Sequence, residues 1–242
     1  LEFDIRNHFK LGPVKHHNVV AEIKGSKYPD EYVIVSGHLD AYDVATGGID
    51  CGTGIGPMME AARMLALSGA KPKRTILFIA FSGEEFGWVG SKAYVKAHAD
   101  QLPKISNMFN RDGGPEPPVG IRVSQAMYDD FVKIAKDIKR IRPDYPFEVF
   151  VASPRPRPTE PGNVDSETFA VEGVPTYGFI EEDIEGYDFD YDEIWHTERD
   201  LYTKNIPDYQ KHTATVTAIM ALGVANLDKQ LSREGVYTEP EK

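Results

Sequence analysis

Two almost uninterrupted apolar runs, residues 31–36 (E-Y-V-I-V-S) and 74–81 (R-T-I-L-F-I-A-F), constrain this chain more than any other feature. A strand that is apolar along its whole length has both faces covered, as in a parallel or mixed sheet flanked by helices. Each run ends in residues that do not belong in a core. The first leads into Gly37-His38-Leu39-Asp40 and the second into Ser82-Gly83-Glu84-Glu85. In open sheets of this kind, ligands bind beyond the carboxyl ends of the strands. Chemistry is therefore expected between positions 36 and 85.

The remaining segments alternate in type. Strands are expected over 18–23, 105–109, 119–123, 147–151 and 176–180, and the opening ten residues also look like strand. Helices are expected over 57–67, 90–98, 125–139, 165–171 and 206–227. The first of these has Pro57 at its start and Gly69 beyond its end, as helices prefer. Residues 25–30 (G-S-K-Y-P-D) read as a turn, and 153–163 (S-P-R-P-R-P-T-E-P-G-N) as a proline-rich loop. Alternating strands and helices predict an α/β three-layer sandwich, with a mostly parallel mixed central sheet between helices. Met58, Met59, Ile219, Leu222 and Leu227 are expected in its core.

Composition excludes several classes. A net charge of -11 over 242 residues leaves no basic stripe for nucleic acid. No apolar run approaches the ~20 residues of a membrane span. A single cysteine, Cys51, rules out a disulfide framework within the chain. The chain opens on Leu1 with no signal-like segment, which points to processing or to a longer parent chain.

Taken singly, each polar group has a plain reading. His38 and Asp40 form a turn with a solvated acid, or an imidazole whose second nitrogen a carboxylate holds. Asp50, among glycines, caps a helix or bridges two metals. Glu84 and Glu85 open a helix with solvated charge, or divide metal ligation and base chemistry between them. Asp112 in N-R-D-G-G and His196 in W-H-T-E-R-D are ordinary loop residues when read alone. As a group, His38, Asp50, Glu85, Asp112 and His196 offer two nitrogens and three carboxylates. With Asp50 shared, each of two ions receives one histidine and one further carboxylate, a set suited to zinc with room for water. Two such ions form a clamp for hydrolysis. The G-T-G-I-G at 52–56 lacks the spacing and the lysine of a phosphate cradle. His8, His16, His17, His98 and His212 have no carboxylate at telling spacing and read as surface or packing residues.

These motifs carry a resemblance. G-H-L-D-A-Y-D-V-A-T-G-G-I-D (37–50), S-G-E-E-F-G-W-V-G-S (82–91), N-R-D-G (110–113) and W-H-T-E-R-D (195–200) resemble the co-catalytic zinc aminopeptidases and carboxypeptidases of clan MH. The plasma glutamate carboxypeptidase branch is nearest, through G-H-L-D-x-x-D-V. The resemblance implies that His38, Asp50, Glu85, Asp112 and His196 bind two zinc ions with Asp50 bridging. It further implies that Glu84 is the general base and that Asp40 is the partner of His38. It leaves open which ion receives Asp112. It implies one zinc peptidase catalytic domain over 1–242, the C-terminal part of a longer chain, with an extracellular or periplasmic location and a peptide or dipeptide substrate. The sequence departs from the family at Cys51, where Asp or Asn is common, and at Val164-Asp165-Ser166, where Ser-Asp-His is common.

The expected activity is an exopeptidase, acting as an aminopeptidase or dipeptidase. The acids of residues 181–193 attract an α-amine or are merely solvated, and Tyr187, Phe189, Tyr191 and Trp195 line a side-chain pocket or anchor that loop. Two other classes share the fold. A glutaminyl cyclase uses one zinc for acyl transfer without water, and a binding-only ectodomain loses its ligands. The full five-residue set favours the peptidase.

Overall fold

The structure, a computed structural model, describes residues 2–6, 8 and 12–239. The chain runs β1 (Val19–Ile23), β2 (Tyr28–His38), α1 (Gly52–Leu67), β3 (Arg74–Phe81), α2 (Val89–Ala97), β4 (Ile105–Asn110), β5 (Pro118–Val123), α3 (Tyr128–Ile141), β6 (Glu148–Val151), β7 (Arg155–Pro156), α4 (Asp165–Val171), β8 (Phe179–Glu181), α5 (Pro207–Ala225) and β9 (Tyr237–Thr238). Four strands form the central sheet in the order β1-β3-β2-β4, with β2 parallel to both neighbours and β1 antiparallel at the edge. A second sheet has the order β6-β5-β8. The segment before β8 joins the two. Thr176 bridges in parallel to Met108 of β4, and Phe179 onward pairs antiparallel with β5.

The two apolar runs do what their composition requires. Successive side chains point to opposite faces. Val33, Val35, Ile76, Phe78 and Ala80 face one layer, packed with residues of α1, α3 and α5. Ile34, Leu77, Ile79 and Phe81 face the other, packed with Tyr94 of α2 and Phe169 of α4. Each such buried side chain contributes roughly 1.5–3 kcal/mol. Helix α3 buries Phe131, Ile134, Ala135 and Ile138, the i, i+3, i+4, i+7 stripe of an amphipathic helix. The three-layer sandwich is as expected.

Five local expectations need correction. Residues 2–6 and 8 form no helix or strand, and the rest of the strand expected over 1–10 lies outside the described residues. Tyr28 to Asp30, read as turn, belong to β2, which shifts register before Tyr32. The strand expected over 176–180 splits into the Thr176 bridge and β8. Helix α1 begins at Gly52, so Pro57 lies inside it. Proline removes the N–H that would bond to the carbonyl four residues back. That carbonyl, on Thr53, instead accepts from Arg111 Nε at 3.0 Å. Met59 is 63% exposed while Met58 is buried, since neighbouring helix positions face different ways.

Candidate metal centre

The sheet delivers the first group of side chains. His38 is the last residue of β2, and β4 runs parallel beside it, so their carboxyl ends coincide. Ser36 Oγ donates to Asn110 Oδ1 at 2.6 Å, tying those ends together. Asp112 follows two residues beyond β4. His38 Nε2 stands 3.0 Å from Asp50 Oδ1 and 3.4 Å from Asp112 Oδ1. His38 is only 2% exposed.

Loops deliver the second group. Glu84 and Glu85 lie in the turn after β3, and His196 in the loop before α5. His196 Nε2 stands 3.0 Å from Glu85 Oε2. Ligand atoms of His38, Asp50 and Glu85 lie within 4.8 Å of one another, as do those of His38, Cys51 and Asp112. Asp50 is therefore within reach of both groups. All five expected ligands meet in one place, although His38 and His196 are far apart in sequence.

Asp40 meets His38 differently from the expectation. His38 Nδ1 is 2.9 Å from the backbone carbonyl of Asp40, while the nearer carboxylate oxygen is 3.8 Å away. The carboxylate instead accepts the backbone N–H groups of Gly83, Glu84 and Glu85 at 2.8, 3.1 and 3.1 Å. One residue thus orients both the imidazole and the turn that carries the paired acids.

Sequence reasoning missed two further supports. Asp200, buried, accepts the N–H of Ile49 at 2.7 Å and of Asp50 at 3.4 Å, and its carbonyl accepts Thr46 Oγ1 at 3.2 Å. It holds the Asp50 loop to the His196 loop. Arg111, also buried, donates to Thr53 O at 3.0 Å, to Glu116 O at 2.7 Å and to the Glu181 carboxylate. Cys51 Sγ donates to Arg111 O at 3.0 Å, so the thiol is spent on packing the start of α1. Position within a quoted motif was the only signal for either support.

The acids are crowded. Burial raises Glu84 to about 8, with Asp112 adding to the effect, and raises Glu85 to about 7, with Asp50 adding. Burial raises Asp165, at the start of α4, to about 7. Asp112 is also raised, chiefly by burial. Burial opposes charge on His38, but the Asp112 and Asp50 carboxylates together push its proton affinity well up. Carboxylates packed this closely need protons or cations between them. Glu85 Oε1 is buried with no hydrogen-bond partner. Two imidazole nitrogens and three carboxylates, one of them with an unsatisfied buried oxygen, suit a divalent-cation site.

Beside this centre, the acidic loop is anchored. Tyr209 OH donates to Asp183, and Tyr145 OH to Glu185 Oε1 at 2.7 Å. Tyr187 packs edge-on to Tyr209 at 5.3 Å. Two of the acids thus bond to phenols, while Glu182, Asp188, Asp190, Asp192 and Glu193 are exposed. His212 is fully buried on α5, and His98 stacks on Tyr94, both packing residues.

Comparison with known proteins agrees with this geometry. Carboxypeptidase Q of Rattus norvegicus is 31% identical over 232 residues, covering 93% of this chain and 46% of the relative. The chain thus spans about half the length of the curated relatives it matches. The solved peptidase M28 precursor from Shewanella amazonensis is 29% identical with a TM-score of 0.74, over 89% of this chain and 46% of that one. The zinc aminopeptidase BSAP from Bacillus subtilis, 19% identical, shares the fold with a TM-score of 0.65 over 91% of this chain and 53% of that one. The likeness read from the motifs is borne out. The model of peptidase family M28 matches residues 18–221, and the chain belongs to that family.

Proposed function

We propose that this chain is the catalytic domain of a zinc-dependent exopeptidase that hydrolyses peptide bonds near a free terminus, as an aminopeptidase or dipeptidase. One observation supports this best. Two imidazole–carboxylate pairs, His38 with Asp112 and His196 with Glu85, stand around a further carboxylate, Asp50, that is within ligand range of both His38 and Glu85. In this reading His38, Asp112 and Asp50 would hold one zinc ion, and Glu85, His196 and Asp50 would hold a second. Zinc held there supplies Lewis acidity, which polarises a peptide carbonyl and lets water ionise near pH 7.

The chain's own groups do the rest. Glu84 takes the proton from the attacking water and returns it to the leaving amine. Such acid–base help is worth about 10²–10⁴ in rate. Asp40 holds the Glu84 turn through three backbone N–H groups and holds His38 through its carbonyl, so base and ligand keep their spacing. Exposed acids of the 181–193 loop attract the cationic amine of a peptide or dipeptide substrate. An extracellular or periplasmic location belongs to the same proposal. Among the described residues no helix is long and apolar enough to cross a membrane.

The test is metal content with activity. Two zinc ions per chain are expected, with hydrolysis of aminoacyl and dipeptide substrates lost on chelation and restored by zinc. One ion per chain, with cyclisation of N-terminal glutamine, would favour the acyl-transfer alternative. Equal cleavage of N-terminally blocked peptides would remove the aminopeptidase reading.

A further inference from the structure

We propose that Tyr42 and Trp195 are positioning residues that clamp the His196 imidazole from both sides and set how well the second zinc is held. The proposal rests on the exopeptidase reading above. The Tyr42 ring lies 4.1 Å from the His196 ring and within 5° of parallel to it. The Trp195 ring lies 4.1 Å away at 29°. The imidazole is thus enclosed face by face, and its Nε2 edge points at Glu85 Oε2.

Three facts argue against ordinary packing. Tyr42 is 40% exposed and Trp195 is 51% exposed, so neither ring is there to fill a core. His196 has φ of +57°, a left-handed backbone that non-glycine residues adopt only when their surroundings hold them there. That backbone lets the rings of sequence neighbours Trp195 and His196 lie against one another. Tyr42 comes from the loop between β2 and α1, which also carries Asp40 and Asp50, so the clamp spans the two halves of the centre. Aromatic faces are negative and attract a positively charged ring, the direction in which zinc ligation moves an imidazole. Groups that orient a ligating histidine change metal affinity by roughly 10–100-fold when removed.

The experiment titrates zinc into the apoprotein against a chelating dye, alongside unfolding of the apoprotein by urea. Tyr42→Leu and Trp195→Leu keep an apolar side chain but remove the flat face. Each is expected to weaken the second zinc by about 10–100-fold while leaving the first zinc and the apo urea midpoint unchanged. Tyr42→Phe and Trp195→Phe restore a flat ring and are expected to restore the affinity. His196→Ala separates the two readings. If it binds two zinc ions as tightly as the parent protein, the ligand assignment itself is wrong. If it loses one ion while both leucine variants bind two normally, the ligand stands and the clamp is overturned. A fall in the apo urea midpoint that accounts for the affinity loss would also overturn it, by making the rings merely structural.

Discussion

His38 and His196 each direct Nε2 at a carboxylate oxygen 3.0 Å away, yet they reach that position by opposite means. His38 ends a central strand, is almost wholly buried, and pairs with Phe81 of β3, while two residues earlier Ser36 pairs with Asn110 of β4. Its neighbours Asp112 and Cys51 are fixed by the same sheet and by the start of α1. His196 belongs to a loop, keeps 31% of its side chain exposed, and sits on a left-handed backbone that costs roughly 1–2 kcal/mol. Stacked rings and the Asp200 latch hold that loop. One half of the centre is therefore built on the sheet, and the other depends on a few loop contacts. Local stability of this unequal kind is common where a site must admit and release a ligand.

The largest effect that probes this contrast is at Glu84, whose turn adjoins both halves. Glu84→Gln is expected to bind two zinc ions like the parent protein and to lose about 10²–10⁴ in kcat/KM, or about 3–5.5 kcal/mol. Near-normal turnover would move the base elsewhere, and loss of zinc would show that the turn's charge holds metal.

A smaller effect separates the scaffold from the centre. Helix α5 holds His212, whose Nε2 lies 3.0 Å from Pro118 O and whose Nδ1 is buried without a partner. Burial, its largest influence, lowers this imidazole from 6.5 to about 4. Between those values the unfolded chain binds the proton and the folded one does not. Stability from this residue is therefore present above pH 6.5 and is lost as pH falls toward 4, by roughly 3 kcal/mol. His212→Gln removes the titration. Urea unfolding of the apoprotein at pH 7 and pH 4.5 should show a shallower acid loss in the variant. An unchanged loss would place acid sensitivity instead in carboxylates held below their usual range by their partners, such as Asp183 beside Tyr209 and Asp228 beside Lys73.

The smallest effect comes from a pair of glycines two residues apart in α1. A Cβ at Gly54 would meet Arg111 O at 2.3 Å and Cys51 Sγ at 2.5 Å, whereas one at Gly56 meets nothing within 4 Å. Gly54→Ala should cost about 1–3 kcal/mol and disturb the strand-borne half. Gly56→Ala should gain about 0.5–1 kcal/mol from helix propensity. Both can be read from urea midpoints, and equal effects would mean that the start of α1 is looser than its contacts suggest.

Much of this molecule was legible in the chain. The apolar runs of β2 and β3, the stripe of α3 and the bounds of α4 follow from periodicity, because burial on a sheet or helix face imposes a local pattern. The start of α1 was not legible. Pro57 is a good first residue of a helix, and nothing local reveals that Arg111, 54 positions on, would take the carbonyl that the proline leaves free. Met59 was misread for a related reason, since a helix's apolar face is known only when its partner is. At the centre, His38, Glu85 and Asp112 stood out by type and by their place after strands, and Asp50 and His196 by type and by their motifs. Asp200 and Arg111 were not, because a hydrogen-bonding role leaves no composition signal.

The amino-acid order alone determined the layers and the carboxyl ends of the strands where His38 and the acids gather, because alternation and strand ends are short-range properties. Only the tertiary structure decided that Asp112 stands with His38, that Glu85 stands with His196, that Asp40 meets its histidine through a carbonyl, and that two exposed rings enclose His196. Asp112 with His38, Glu85 with His196 and Tyr42 with His196 join segments brought together by sheet order and loop closure, and no short window of sequence contains both partners. Asp40 and Trp195 are near their histidines in sequence, but the backbone geometry that sets their contacts is fixed by the same surroundings.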